Sequence, residues 1–118
     1  MSQSKNSLPY LEHILDSIVN IEQYLNATKN EDEFLHNSLV QDAVIRNLEI
    51  IGEAAKKVEM QVKKESSEIE WKAMAGMRDK LIHDYFGVDL TFVWTTVKKD
   101  LPKLKKKIKT LIKKLNSN

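Results

Sequence analysis

The chain has 118 residues, of which 42% are hydrophobic and 31% charged, and its net charge is +2. That balance describes one soluble folded domain over residues 1–118 and excludes a disordered chain. Cysteine is absent, which excludes a disulfide framework and a thiolate metal site and suits a reducing compartment.

The opening MSQSKNSLPYLEH lacks a basic segment followed by an apolar run, so it does not read as a signal peptide. No apolar stretch approaches the roughly 18–20 residues that span a bilayer. A cytoplasmic protein without a membrane partner is expected. Few glycines and prolines, abundant Leu, Ile, Lys, Glu and Ala, and no period-2 stretch bounded by turn residues point to an all-α fold.

The first helix is expected to begin near Ser7, with Ser7 as its cap and Pro9 in its first turn. Leu11, Ile14, Leu15, Ile18, Ile21 and Leu25 then recur at helical spacing. Asn26 to Asn30 reads as a break, and EDEFLHN as a short lead into a second helix capped by Asn37 or Ser38. From Leu39 the apolar pattern through Val58 and Val62 predicts one helix of about 25 residues. Within it, Arg46, Asn47 and Glu49 crowd apolar neighbours so closely that not all can face open water. Gly52 sits mid-helix, where glycine costs about 1 kcal/mol relative to alanine. A tight helix crossing would explain it, and Glu53 and Arg46 lining a cleft is the alternative.

Lys63 to Glu68 is the expected polar connection to a third helix, from about Glu70 to Tyr85, closed by a left-handed cap at Gly87. Asp89 should cap a fourth helix carrying Phe92, Val93, Trp94 and Val97. Pro102 should start a fifth, about 101–115, with Leu101, Leu104, Ile108, Leu111, Ile112 and Leu115 as its stripe. The expectation is an up-and-down bundle of about five helices. Residues 98–118 hold nine lysines and one acid, Asp100, a charge of +8, so the rest of the chain carries −6 to reach +2. Lys105, Lys106, Lys107 and Lys109 are the candidate polyanion contacts, and a solvated helix face is the plainer reading.

One stretch, WKAMAGMRDKLIHDY from Trp71 to Tyr85, gathers Arg78, Asp79, His83, Asp84 and Tyr85. No phosphate-binding glycine loop, metalloprotease helix or nucleophile elbow competes with it, and three scattered histidines form no zinc set. Neither a metal nor another cofactor is expected. Asp79 and His83 are four apart, so the carboxylate could orient the imidazole. Arg78 and His83 are five apart, about 140° around a helix. One straight helix does not aim both at one atom, so bridging side chains, a distorted helix end or a second subunit is required. Histidine can take a proton near neutrality, and arginine presents donors to a phosphate, which together suffice for RNA cleavage without a metal. A structural polar network remains the other reading of the same residues.

MRDKLIHDYFGVD resembles the Arg-x-x-x-x-His-x-Tyr signature of HEPN-domain proteins of the HepT toxin type. DAVIRNLEIIGEAAKKV, WKAMAGMRD and FVWTTVKKDLPKLK extend the likeness over most of the chain, in the expected order. The resemblance implies an all-α HEPN bundle that forms a homodimer around a shared cleft. It implies an endoribonuclease toxin with Arg78 and His83 as catalytic residues, RNA as substrate and a minimal nucleotidyltransferase antitoxin of the MntA type as partner. Tyr85 matches the tyrosine that such an antitoxin modifies with AMP. Asp79 and Asp84 fill variable positions of the motif and, with Arg46 and Glu53, are expected to support it. An inert helical partner or substrate subunit of a nucleotidyltransferase is the alternative from a different class.

Overall fold

A computed structural model describes residues 5–84 and 87–117 of the chain. The elements in order are α1 (Leu8–Leu25), α2 (Glu31–Leu35), α3 (Ser38–Lys57), α4 (Met60–Glu65) and α5 (Trp71–His83). They are followed by α6 (Leu90–Thr95), a π-helical turn (Thr96–Asp100) and α7 (Leu101–Asn116). The fold is all-α. No helix among the described residues is long and apolar enough to cross a membrane.

The architecture is built on α3, which packs on α1 along one side and on α5 along another, while α7 lies against α1. The stripes explain the packing. Leu11, Ile14, Ile18 and Ile21 of α1 are fully buried, as are Val44 and Ala55 of α3 and Ile108 of α7. Burying a side chain of this size contributes roughly 1.5–3 kcal/mol, so these stripes drive the assembly. Asn47 is the polar residue of α3 that turns inward. It donates to Ala43 O at 2.8 Å and accepts from Asn20 Nδ2 of α1 at 3.3 Å, so its burial leaves no amide unpaired.

Several boundaries differ from the sequence expectation, each for a local reason. Ser7 precedes α1 but makes no side-chain cap bond to it; its buried hydroxyl accepts the N–H of Glu59 at 3.0 Å, tying the chain start to the end of α3. The EDEFLHN segment contains a helix because Asn30 caps Glu33 N–H at 2.9 Å, while the Glu33 carboxylate accepts Lys29 N–H at 2.9 Å. Its Phe34 is fully buried and lies against Trp94, ring centroids 5.4 Å apart. The long second helix stops at Lys57, because Val58 is extended (ψ 136°), and a short α4 then occupies part of the expected polar connection.

The expected fourth and fifth helices are one rod. Thr95, Thr96, Asp100 and Leu101 all keep helical dihedrals, and Leu101 N–H donates to Thr96 O, one residue further back than in an α-helix. The widened turn lies just before Pro102, whose ring would otherwise press on the carbonyl four residues earlier. Gly87 likewise departs from expectation. No glycine among the described residues has positive φ, and Gly87 N–H instead closes a turn onto Asp84 O at 2.8 Å.

Gly52 marks the closest approach of α3 and α5. A Cβ added there would overlap the Cβ of Arg78 and stand 2.6 Å from the carbonyl oxygen of Met74. Neither obstacle can swing away, since one is backbone and the other is fixed to it. The mid-helix glycine is therefore explained by the crossing. Gly76, on the exposed side of α5, has nothing within 4 Å of such a Cβ.

The two glycines should respond oppositely to alanine. Gly52→Ala is expected to lower stability by about 1–3 kcal/mol through overpacking, and Gly76→Ala to raise it by about 0.5–1 kcal/mol. Urea unfolding measures both, and an unchanged midpoint for Gly52→Ala would contradict the crossing.

Candidate active site

The crossing at Gly52 decides where the motif's arginine points. Arg78 starts against the α3 backbone, and its guanidinium runs out along one flank of the crossing. There the guanidinium forms an ion pair with Glu53, Nε 3.0 Å from Oε2, and Nη1 donates to Asp79 Oδ1 at 3.0 Å. The same Asp79 oxygen accepts from Lys56 Nζ at 2.6 Å. Two residues of α3 and two of α5 thus form a charge-balanced cluster, with the Arg78 side chain 29% exposed and both carboxylates near half exposed. Half-exposed pairs contribute about 1 kcal/mol or less to stability. Their main effect is to fix the direction of the guanidinium.

Asp79 is held as a carboxylate by this arrangement. Hydrogen bonds from Lys56 first, then Arg78, lower its pKa below the ordinary 3.8. The spacing of Asp79 and His83 leaves open that the carboxylate orients the imidazole. Among the described residues the bonds of Asp79 go to Lys56 and Arg78 instead. Lys56 is the site residue that the sequence did not single out, because nothing in its spacing relates α3 to α5.

His83 is the last residue of α5, and it is exposed. The helix stays regular up to that point, so a helix distorted before His83 is not what joins the pair. No described hydrogen bond links His83 to Arg78 or Asp79, and the separation of about 140° on α5 stands. Asp84 caps α5 through its N–H to Lys80 O at 2.8 Å, and its carboxylate is 3.9 Å from Lys80 Nζ. Tyr85 lies outside the described residues. Arg46 is 71% exposed and 3.7 Å from Glu49, seven residues before Glu53 on the same face of α3. It flanks the cluster rather than joining it.

The four lysines singled out on α7 divide. Lys105 Nζ pairs with Glu22 of α1 at 2.9 Å, and Lys107 Nζ donates to the carbonyl of Glu68 at 2.8 Å. Both are ties within the fold, whereas Lys106 and Lys109 are exposed. On the flank of the crossing opposite the charged cluster, a groove of about 500 Å³ runs between α5 and α7, floored by Leu48, Ile51, Met74, Met77 and Leu104. Among the described residues no group of three or more His, Asp or Glu side chains is arranged to hold a metal ion.

The lowered pKa of Asp79 has a signed consequence. A carboxylate more acidic in the folded state stabilises fully above its unfolded value, and that contribution is lost as pH falls through the folded value. The melting temperature of the Asp79→Asn protein should therefore lie below that of the wild type at neutral pH. The gap should close on acidification below the ordinary carboxylate range. A gap that stays constant down to strongly acid pH would contradict the assignment.

Comparison with known proteins bears on the same residues. The family described as "Ribonuclease HepT-like" matches residues 14–111, a span that contains α3, α5, Arg78 and His83. A Methanocaldococcus jannaschii protein, whose name joins gamma-glutamylcyclotransferase to a provisional RNase, is 50% identical over 109 residues. Those residues are 92% of this chain but 49% of that protein, so the chain spans about half of its length. A provisionally named RNase of Caldanaerobacter subterraneus subsp. tengcongensis is 41% identical, covering 93% of this chain and 97% of its own. A Thermococcus cleftensis protein named a probable ribonuclease HepT is 51% identical, covering 88% and 94%. No solved structure matches significantly. With the family matched across α3, α5 and most of α7, the chain belongs to the HepT-like ribonucleases.

Proposed function

We propose that the chain is a metal-independent endoribonuclease that acts as the toxin of a HepT/MntA-type pair. The observation that carries this reading is the cluster at the Gly52 crossing, which holds Arg78 in a set direction five residues before an exposed His83, in a chain of this family.

The chemistry follows from the two side chains. The His83 imidazole takes the proton of a ribose 2′-hydroxyl, and the freed oxygen attacks the adjacent phosphorus. The bond from phosphorus to the 5′ oxygen breaks, that oxygen takes a proton from water, and a 2′,3′-cyclic phosphate remains. The His83 imidazolium returns its proton to the solvent. The Arg78 guanidinium stabilises the charge that builds on the phosphoryl oxygens. Glu53 and Asp79 act through Arg78, the first by an ion pair and the second by a hydrogen bond from Nη1, so that the remaining donors face the substrate. The angular separation of Arg78 and His83 on a regular α5 favours a homodimer in which two copies of this helix share one cleft. Tyr85, two residues after His83, is the proposed site of control. AMP added there by a minimal nucleotidyltransferase antitoxin would place bulk and negative charge where RNA phosphates bind.

Purified protein should cut RNA in EDTA and leave 2′,3′-cyclic phosphate ends. His83→Ala should lower the rate by about 10²–10⁴-fold while keeping the melting temperature, and it should no longer arrest growth when expressed alone. Equal cleavage by the variant would overturn the assignment.

A further inference from the structure

We infer that the outward face of α7 is an RNA-backbone track made of Lys103, Lys106, Lys109, Lys113 and Lys114. The inference rests on RNA as the substrate and adds a surface apart from the reacting groups.

The geometry comes from how α7 is packed. Its buried residues Leu101, Ile108, Leu111 and Leu115 define the inward side. At about 100° per residue, the five lysines centre on the opposite side, and all five are exposed. Lys105 and Lys107 fall on the two edges between, where Glu22 and the Glu68 carbonyl engage them. The fold therefore neutralises or ties down the edge lysines and leaves the outer five without a described ion pair. Several of them sit three or four residues apart, a spacing at which like charges destabilise a helix. Five positive charges extend over about 16 Å of helix, long enough for a short run of backbone phosphates.

Placement sets what the track does. Lys103 also lines the groove between α5 and α7, which meets the α3–α5 crossing through Leu48 and Ile51. At about 100° per residue those two turn to one flank of Gly52, and Glu53 and Lys56 turn to the other. The track is thus set off from Arg78 within one copy of the chain. It supplies affinity and leaves the chemical step alone.

The test uses a 5′-labelled single-stranded RNA with the full chain carrying His83→Ala, so that binding is read without scission. Affinity is measured across a KCl series. Replacing the five lysines with glutamine, which has a similar helix propensity, should weaken binding at physiological salt by about tenfold or more. The slope of log affinity against log salt should fall by about 2–3.5, at roughly 0.7 per phosphate contact. Lys105→Gln with Lys107→Gln should keep the slope and lower the melting temperature. In proteins that retain His83, the five replacements should raise KM and leave kcat unchanged. An unchanged salt slope in the five-residue variant overturns the track, even where the wild type cuts RNA. A lost slope with no scission by the wild type supports the track and removes the ribonuclease reading instead. No salt-dependent RNA affinity in the wild type overturns both.

Discussion

The missing side chain at Gly52 sets how closely α3 and α5 can lie, and the charged cluster depends on that distance. With the Cβ of Arg78 against the α3 backbone, a guanidinium on one helix reaches Glu53 on the other, and Lys56 reaches back to Asp79. A helix pair held further apart by an alanine methyl would stretch both cross-links at once. The glycine costs helix stability locally, and the burial of its neighbours on α3, Ile51 and Ala55, more than offsets that cost.

The cluster has equal numbers of each sign, so it creates little field of its own at a distance. What it provides is direction. A free arginine samples many rotamers and loses that freedom when it binds a phosphate. One already held by the Glu53 ion pair and the Asp79 hydrogen bond has lost most of it in folding. That would be the advantage of preorganisation if charge develops on phosphorus as proposed. On the proposed reading, long-range attraction comes from elsewhere, from the lysines of α7 that the fold leaves outward. That reading separates capture of a polyanion from the positioning of the group proposed to act on it.

Much of the fold was legible because apolar residues on α1, α3 and α7 keep a helical period, and burial follows that period. The all-α class and the order of the long helices came from it directly. Other features depend on contacts between distant parts of the chain. Val58 breaks a pattern that continues apolar through Val62, and periodicity cannot distinguish a kinked helix from an unbroken one. Pro102 signals an interruption, yet a π-helical turn absorbs it without ending the rod. The Asn30–Glu33 pair did carry a readable start signal for α2, which its five-residue length obscured.

The candidate site was legible in its identities and not in its pairings. Arg78 and His83 stood out by residue type, spacing and family likeness, and Gly52 by its place mid-helix. The partner of Asp79 could not be read, since i,i+4 spacing offers His83 and the tertiary crossing supplies Lys56 at 2.6 Å. Lysines of one composition were likewise sorted only by what lies opposite them. The claim on which the account rests is that Glu53 serves RNA cleavage through Arg78. A double-mutant cycle with Glu53→Gln and Arg78→Gln, read as kcat/KM for RNA cleavage, tests it most directly. Glu53→Gln should lower kcat/KM in the wild-type background and cost nothing further once Arg78 is gone. Losses that simply add would contradict it.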